Sequence, residues 1–273
     1  MSTLQCGRFR LDLSRPQLMA IVNLTADSFT GDGHAADLDA ALLRAQRALE
    51  EGADMLDIGA ESTRPGAAPV PEEVELERIV RFVERLHAWK VPLSVDTLKP
   101  AVMRAALDAG ADMINDILGF RAPGAVEAVA GGEAGLCVMH MQGEPRTMQE
   151  APQYVDVVAE VGAFLEERVA ALVAGGVARE RIVLDPGFGF GKTVAHNCAM
   201  LRELRRFGEG GLPVLAGLSR KSMLGAITGR PVDQRMPASV VAALIAVQRG
   251  AGIVRVHDVA ATRDALAVWQ AVS

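Results

Sequence analysis

Short apolar runs of strand length recur along the chain, and segments with apolar spacing near 3.6 residues lie between them. The runs predict β-strands, and the spaced segments predict helices with one face on a core. The predicted strands are Leu18–Leu24, Met55–Ala60, Pro92–Thr97, Met113–Leu118, Gly135–Met141, Ile182–Asp185, Pro213–Ser219 and Gly252–Asp258. The clearest predicted helices are Leu38–Glu51, Pro71–Trp89, Pro100–Ala109 and Tyr154–Ala174. Strand and helix therefore alternate along the whole chain.

Glycine marks several of the helix ends. The stretches Glu51–Asp54, Ala109–Asp112 and Arg249–Gly252 each carry a glycine that can end a helix and turn the chain into the next strand. Eight such units without a break in composition predict a single (β/α)8 TIM barrel that spans residues 1–273. A doubly wound open sheet is the alternative. Residues 3–14 alternate charged and apolar side chains, which predicts a short N-terminal β-hairpin that plugs the bottom of the barrel.

The composition fits strands that are buried on both faces. Half of the 273 residues are hydrophobic but only 4% are aromatic, so Ala, Val, Leu and Ile carry the core. The net charge of −6 argues against a nucleic-acid-binding surface, and it means that an anionic ligand needs a local basic cluster. The longest apolar run, Val240–Val247, is far shorter than the roughly 20 residues of a membrane-spanning helix.

The N-terminus and the cysteines bear on the compartment. The first ten residues, M-S-T-L-Q-C-G-R-F-R, lack the apolar stretch of a signal peptide. Cys6, Cys137 and Cys198 are scattered and show no metal-ligand spacing, which indicates reduced thiols. These features predict a cytoplasmic protein that binds neither membranes nor nucleic acids.

Nearly every predicted strand ends in a polar side chain, where barrel enzymes place their chemistry. These residues are Asn23, Asp57, Asp96, Asn115, His140, Asp185, Ser219, Arg255 and His257. Strand side chains alternate between two faces, so Ser94 and Asp96 share a face. The outward face packs on apolar helices, and the polar groups should therefore point into the mouth of the barrel. A single strand-end aspartate more often caps the next helix, whereas the whole set favours a ligand site.

One strand end resembles a nucleotide motif only in part. Residues 182–193 read I-V-L-D-P-G-F-G-F-G-K-T. A phosphate-binding P-loop requires G-x-x-x-x-G-K-[ST], and Pro186 occupies the position of its first glycine. The segment instead places the carboxylate of Asp185 at the mouth of a buried strand, beside a glycine-rich loop that can approach a flat ligand closely.

Three further loops carry polar side chains. Residues 219–222 read S-R-K-S at a predicted helix start, where backbone N–H groups, hydroxyls and two cations favour an anion. Residues 61–66 read E-S-T-R-P-G, and residues 23–33 form a long polar loop with one aromatic residue, Phe29. Long polar loops that follow strands are typical of lids over a site.

Together these segments resemble dihydropteroate synthase, a folate-pathway enzyme family built on a (β/α)8 barrel. The resemblance runs from Leu18 to Ala267 and rests on eight motifs in order. They are N-L-T-A-D-S-F, D-I-G-A-E-S-T-R-P-G, S-V-D-T, I-N-D-I, M-H-M-Q-G-E-P-R-T-M-Q, L-D-P-G-F-G-F-G-K-T, S-R-K-S-M-L-G and V-R-V-H-D-V. The resemblance implies an enzyme that condenses 6-hydroxymethyl-7,8-dihydropterin pyrophosphate with p-aminobenzoate, giving 7,8-dihydropteroate and pyrophosphate. It further implies that pyrophosphate departs before the amine attacks.

The resemblance also implies roles for individual residues. The pterin is expected to contact Asp96, Asn115, Ile117, Met139, Asp185, Phe190 and Lys221. The pyrophosphate is expected to contact Asn23, Thr63, Arg64, Arg255 and His257, and Mg²⁺ is expected to bind Asn23 and phosphate oxygens. The p-aminobenzoate pocket is expected to include Phe29, Thr63, Pro65, Phe190, Lys221 and Ser222. The expected catalytic residues are Lys221, Arg255, His257 and Asp96. The expected assembly is a homodimer.

Two single positions and one four-residue stretch depart from the family pattern. Ala26 replaces a proline, Ala60 replaces a glycine, and T-G-D-G at residues 30–33 replaces S-D-G-G. Loss of the proline frees a backbone angle, which raises the entropic cost of ordering the first loop by about 0.4–1 kcal/mol.

Three other functions fit the pattern less well. The pterin-binding barrel of a corrinoid-dependent methyltransferase needs no pyrophosphate site, so Arg255, His257 and the S-T-R-P-G stretch argue against it. A P-loop hydrolase conflicts with Pro186. A non-catalytic pterin-binding protein needs neither the anion cluster nor two lid-like loops.

Overall fold

The computed structural model describes residues 3–24, 34–61, 69–144 and 147–272. Strands β1 (Thr3–Cys6) and β2 (Phe9–Asp12) form an antiparallel hairpin. The parallel strands that follow are β3 (Gln17–Asn23), β4 (Met55–Gly59), β5 (Leu93–Asp96), β6 (Met113–Asp116), β7 (Gly135–Met139), β8 (Ile182–Asp185), β9 (Val214–Ala216) and β10 (Ala251–Val256). They close into a barrel in the order β10-β3-β4-β5-β6-β7-β8-β9.

Helices follow the strands and cover the outside of the barrel. They are α1 (His34–Glu50), α2 (Glu72–Leu86), α3 (Pro100–Asp108), α4 (Ala125–Val129), α5 (Val157–Ala174), α6 (Val194–Arg202), α7 (Ser222–Thr228), α8 (Met236–Gln248) and α9 (Val259–Val272). Leu18, Ile58 and Phe82 are fully buried members of the large apolar cluster between barrel and helices. The predicted (β/α)8 architecture is confirmed.

The bottom of the barrel, at the amino-terminal ends of its strands, is filled with apolar side chains. Leu4, Cys6 and Leu11 of the hairpin form one buried cluster with inward-facing strand residues. Those strand residues are Met19, Met55, Met113, Cys137, Val183, Leu215 and Ile253. Asp112 Oδ1 holds the hairpin in place by accepting hydrogen bonds from the backbone N–H of Arg8 at 3.0 Å and from its Nε at 2.9 Å. The predicted plug is confirmed, and the opposite end is left for ligands.

The observed strands end earlier than the sequence predicts. The prediction extends β6 to Leu118 and β7 to Met141, whereas these strands end at Asp116 and Met139. The apolar pattern continues past the strand ends because the first loop residues also pack together. Ile117 and Met141, for example, are buried in the same small cluster. Burial alone therefore did not mark where the hydrogen-bonded ladder stops.

Helix α5 begins three residues later than the apolar spacing from Tyr154 predicts, at Val157. The reason is a side-chain cap: Asp156 accepts hydrogen bonds from the backbone N–H groups of Val158 at 3.0 Å and Ala159 at 3.1 Å. Within the described ranges, neither α5 nor any other helix is long and apolar enough to cross a membrane.

Candidate active site

Charged and amide side chains from neighbouring strands meet at the carboxyl end of the barrel. Strand pairing sets Gly59 of β4 beside Asp96 of β5, and Asp96 beside Asn115 of β6. Arg255 of β10 reaches over β3, which separates it from β4, and binds side chains of β4 and β5. The predicted convergence of strand-end polar groups is therefore present on this side of the mouth.

Asp57 is the centre of this network. Its carboxylate is fully buried, and its Oδ2 accepts a hydrogen bond from Arg255 Nε at 2.5 Å. Ser94 Oγ donates to Oδ1 at 2.6 Å, and Asn115 Nδ2 donates to Oδ2 at 3.3 Å. A buried carboxylate is costly without such partners. Asp57 thereby fixes the orientation of two residues that the sequence assigns to ligands, Arg255 and Asn115.

Asp96 shares the guanidinium of Arg255 with Asp57, because Arg255 Nη2 donates to Asp96 Oδ2 at 2.9 Å. Burial raises the pKa of Asp96 to about 7. The attraction of Arg255 opposes this increase, and the negative charge of the nearby Asp57 carboxylate adds to it. Burial also disfavours the Arg255 cation, but Asp57 and Asp96 more than compensate and raise its pKa above the usual range. Arg255 therefore stays charged, while Asp96 can exchange its proton near neutral pH.

Asn115 presents an unused acceptor. Its side chain is buried, and its Oδ1 has no hydrogen-bond partner within the described part of the chain. An unsatisfied buried polar atom costs about 1–3 kcal/mol, so this oxygen favours a ligand that donates a hydrogen bond. The apolar cluster at the mouth contains Ile117, Met139, Met141 and Met148, with Phe190 packed against it. An acceptor beside an apolar surface suits a flat ring with N–H groups on its edge.

Asp185 and Lys221 add an acceptor and a donor next to this surface. Asp185 Oδ1 accepts a hydrogen bond from the backbone N–H of Gly187 at 2.8 Å, and burial raises the pKa of Asp185 against the attraction of Lys221. Burial likewise lowers the pKa of Lys221 to about 8, against the attraction of Asp185. Lys221 Nζ donates to the carbonyl of Phe188 and lies 4.6 Å from the centroid of the Phe190 ring.

His257, Ser222 and Asn23 lie at the same end of the barrel, because each follows or ends a parallel strand. Nδ1 of His257 is 3.0 Å from Ser219 Oγ, which also accepts from the backbone N–H of His257 at 3.2 Å. Ser222 is the first residue of α7, and its side chain is exposed. Asn23 is the last residue of β3 and is also exposed. The structure therefore places all three where the sequence predicts a ligand.

One of the two cations in segment 219–222, Arg220, forms an ion pair with Asp258. Arg220 Nε and Nη2 donate to the Asp258 carboxylate at 3.1 Å and 2.5 Å. Arg220 also has a φ of +56°, and its backbone N–H donates to Ser239 Oγ at 2.9 Å. A non-glycine residue in this conformation is strained and needs such support. Arg220 therefore shapes the turn into α7, and Lys221 is the cation that interacts with Asp185.

Several predicted contacts lie outside the described residues. They are Phe29, Thr63, Arg64 and Pro65, and the substituted positions Ala26 and 30–33 also fall there. Their roles stay predictions. Ala60, the remaining departure from the family pattern, follows β4 and is fully buried.

A charged cluster that the sequence did not single out borders the segment 62–68. Lys99 Nζ donates to Glu61 Oε2 at 2.7 Å and to the Val70 carbonyl at 2.6 Å, so it binds residues on both sides of that segment. It also donates to Glu75 Oε2 at 2.5 Å, and Thr97 Oγ1 donates to Glu75 Oε1 at 2.6 Å. No pattern in the sequence reveals this cluster, because its members come from three separate elements.

Comparison with known proteins agrees with the geometry. The chain matches the family model of pterin-binding enzymes over residues 19–257. The dihydropteroate synthase of Haemophilus influenzae is 52% identical over 265 residues, which cover 96% of this chain and 95% of that protein. The crystal structure of Burkholderia cenocepacia dihydropteroate synthase with 7,8-dihydropteroate is 58% identical, with a TM-score of 0.92 over 99% of this chain and 96% of that chain. Xanthomonas albilineans dihydropteroate synthase with 4-aminobenzoic acid is 53% identical, with a TM-score of 0.93 over 99% of this chain and 98% of that chain. The chain therefore belongs to the pterin-binding enzyme family and, within it, to the dihydropteroate synthases.

Proposed function

We propose that this enzyme condenses 6-hydroxymethyl-7,8-dihydropterin pyrophosphate with p-aminobenzoate, giving 7,8-dihydropteroate and pyrophosphate. The observation that carries the proposal is the buried Oδ1 of Asn115, which lacks a partner among the described residues. Asn115 lies on β6, between β5 with Asp96 and β8 with Asp185, so three acceptors lie along one side of the barrel mouth. A pterin edge, with its ring and amino N–H groups, supplies donors for such a set.

In this proposal the pterin ring lies against the apolar cluster that includes Ile117, Met139 and Phe190. The carboxylate of Asp185 accepts adjacent N–H groups of the ring, and Lys221 donates to a ring acceptor. Asn115 and Asp96 bind the remaining edge. Each of these contacts uses a side chain that is buried or half-buried before the ligand arrives, which limits the entropy lost on binding.

Arg255 and His257 act on the leaving group. The bond between the pterin methylene carbon and the phosphate oxygen breaks, and its electron pair departs with pyrophosphate. The positive charge left on the methylene group spreads into the pterin ring. A fixed guanidinium stabilises the charge that develops on pyrophosphate, and such electrostatic stabilisation is commonly the largest contribution to rate.

The amine of p-aminobenzoate then attacks the methylene carbon and releases one proton to water. No general base is required, because an arylamine is already neutral and nucleophilic at pH 7. Phe190, Lys221 and Ser222 form the described part of the pocket for this second substrate. Phe29, Thr63 and Pro65 complete the pocket in the proposal, and Arg64 joins Thr63 on the pyrophosphate.

Mg²⁺ is proposed to bind at Asn23. Mg²⁺ prefers oxygen ligands, keeps several waters and commonly binds substrate phosphates with few protein ligands. An exposed side-chain amide oxygen at the end of β3 fits that requirement. Bound there, Mg²⁺ would neutralise part of the charge on pyrophosphate.

A homodimer and a cytoplasmic location complete the proposal. Ile227, Val232, Met236 and Val241 are exposed apolar side chains on the segment that runs from α7 into α8, and a second copy could cover them. Cys6, Cys137 and Cys198 form no disulfide, which suits a reducing compartment.

The reaction is tested by measuring pyrophosphate and dihydropteroate together. Both products should form at equal rates when pterin pyrophosphate, p-aminobenzoate and Mg²⁺ are all present. Omission of the amine should stop pyrophosphate release. Release at an unchanged rate without the amine would identify a hydrolase and refute the proposed condensation.

The pH dependence of the reaction should follow two half-buried groups of the site. Asp96, with a pKa raised to about 7 by burial, must lose its proton to accept pterin N–H groups, so kcat/KM for the pterin substrate should rise through pH 7. Lys221, with a pKa lowered to about 8 by burial, must keep its proton to donate, so kcat/KM should fall above pH 8. The expected profile is a bell with its maximum between these values.

Asp96→Asn provides the control for the acid limb of this profile. The amide cannot titrate, so the fall in kcat/KM below pH 7 should disappear while the fall above pH 8 stays. A variant that keeps an unchanged acid limb would assign that limb to another group.

A further inference from the structure

Side chains hold the loop after β8 along its whole length. From Gly187 to Gly191, every backbone carbonyl accepts a hydrogen bond from a side chain. The donors are Lys192 for Gly187 and Phe190, Lys221 for Phe188, Gln149 for Gly189, and Tyr154 for Gly191. Loop carbonyls more commonly face water. Here the protein itself fixes the shape of the loop.

Lys192 is the most buried of these donors, with 3% of its surface exposed. Its Nζ lies 2.9 Å from each of three acceptors: the carbonyls of Gly187 and Phe190, and Nδ1 of His140. Burial, and after it repulsion from Lys221, lower the pKa of Lys192. The three acceptors oppose this shift, because they match the three N–H groups of a lysine ammonium. The ring of His140 is itself fixed, since it packs edge-on against Phe164 with ring centroids 4.8 Å apart.

This arrangement separates Lys192 from the lysine of a P-loop. A P-loop lysine extends to the phosphates of a bound nucleotide. The Nζ of Lys192 instead faces the underside of its own loop and the imidazole of His140. The lysine of the G-K-T sequence therefore binds carbonyl groups of its own loop. This agrees with the sequence, in which Pro186 breaks the P-loop motif and argues against a nucleotide site.

The groups that Lys192 holds are the neighbours of the proposed pterin contacts. Gly187 accepts from Lys192 through its carbonyl and donates through its N–H to Asp185 Oδ1 at 2.8 Å. His140 donates its backbone N–H to the Asp185 carbonyl at 3.0 Å. Phe190, the third partner, contributes its ring to the apolar surface at the mouth. One buried side chain therefore connects both kinds of pterin contact, polar and apolar.

The loop backbone packs closely at Gly187 against the residue that follows β7. A Cβ added there would lie 1.9 Å from the carbonyl oxygen of His140, and its φ is +71°. The loop backbone thus lies directly on the end of β7. If the Lys192 ammonium were removed, the Phe190 carbonyl and the His140 imidazole would lose their donor in a buried place. The Gly187 carbonyl would keep only the backbone N–H of Phe190 at 3.2 Å, so the loop would be less firmly held.

We propose that Lys192 is a positioning residue for pterin binding, which holds loop 186–191 in the shape that sets Asp185 and Phe190 against the ring. The inference rests on the proposed function, because the pterin contacts of Asp185 and Phe190 are part of it. Lys192 does not touch the ligand itself. Displacements below 1 Å in such a supporting shell are enough to weaken a site.

Lys192→Met tests this role, because methionine fills similar space without N–H groups. The dissociation constant for 6-hydroxymethylpterin should rise at least about tenfold. At saturating pterin, kcat should change by less than about threefold, since the groups that act on pyrophosphate are untouched. Lys90→Met is the matched control, as Lys90 is exposed, and its pterin affinity should equal that of the wild type.

A second variant keeps the inference testable if Lys192→Met does not fold. His140→Phe keeps an aromatic ring against Phe164 but removes one of the three acceptors, and pterin affinity should fall about threefold or more. The melting temperature without ligand and the binding stoichiometry report how much of each variant is folded. The dissociation constant then reports the affinity of the folded fraction. Wild-type affinity in the folded fraction of either variant would refute the positioning role. Failure of the wild-type chain to bind pterin would instead refute the proposed function.

Discussion

Replacing Arg255 with methionine should lower kcat for the condensation by about 100- to 1,000-fold, the usual effect of removing one fixed group that stabilises developing charge. Arg255 is the only side chain seen to connect Asp57 of β4 with Asp96 of β5 among the described residues. Its guanidinium is therefore fixed before the substrate binds. The affinity for 6-hydroxymethylpterin, which carries no pyrophosphate, should change far less than kcat. Steady-state kinetics and direct pterin binding measure the two effects separately.

The control must account for the fully buried Asp57 carboxylate that Arg255 leaves behind, whereas Asp96, its other partner, can take up a proton near neutral pH. Removal of one partner from a buried ion pair commonly destabilises a protein by about 3–5 kcal/mol, because the other charge stays buried. Asp57→Asn combined with Arg255→Met removes that stranded charge and keeps a side chain of the same shape. The double variant should recover thermal stability but not activity. Recovery of activity in the double variant would show that Arg255 contributes through stability rather than through pyrophosphate.

The fold could be predicted from the sequence because one periodic pattern repeats along the whole chain. Strands buried on both faces appear as apolar runs, and a glycine often ends the preceding helix, so the barrel was predicted correctly. The alternation in residues 3–14 likewise predicted the hairpin at its bottom. The carboxyl ends of the strands could not be placed, since Ile117 and Met141 are as apolar and as buried as strand residues. Both side chains pack in one cluster beyond the ends of β6 and β7, so the apolar pattern continues where the strands have ended.

The sequence predicted which strand-end residues lie at the candidate site. It did not predict which of their side chains bind one another. Alternation placed Ser94 with Asp96 on the inward face, and the structure joins both to the network around Asp57 and Arg255. Asp57 carries the most contacts there, yet the sequence showed it only as one polar strand end among many. Partner choice depends on which strands become neighbours in space, and a linear pattern does not contain that information.

His140 and Lys192 illustrate the same limit on the other side of the barrel. His140 follows β7 in the sequence as Asp185 ends β8, and the pattern alone treats them alike. The structure turns His140 behind the loop, where Nδ1 meets Lys192 Nζ at 2.9 Å. Burial lowers the pKa of His140 to about 3, with further repulsion from Lys192, so its imidazole stays neutral and can accept. The three-dimensional path of the glycine-rich loop decides this outcome.

The two buried strand-end aspartates Asp116 and Asp185 distinguish capping from ligand binding. Asp116 uses both carboxylate oxygens on its own turn, accepting from the backbone N–H groups of Leu118 at 2.8 Å and Phe120 at 2.7 Å. Asp185 uses Oδ1 on Gly187 in the same way, and Oδ2 has no donor within hydrogen-bonding distance in the described ranges. In the sequence, both residues fit the pattern of a strand-end aspartate that caps the following turn. Only Asp185 keeps an acceptor for a ligand.

Asp185→Asn should weaken pterin binding by about 1–3 kcal/mol, which corresponds to a dissociation constant roughly 5- to 150-fold higher. The new amide oxygen can still accept from Gly187, and its NH₂ group then replaces Oδ2 and faces the donors of the pterin edge. Titration with 6-hydroxymethylpterin measures the effect. Asp116→Asn is the matched control: it removes a charge of similar burial on a strand end, so it should lower thermal stability and leave pterin affinity unchanged. Equal losses of affinity in the two variants would reduce Asp185 to a second turn-capping residue.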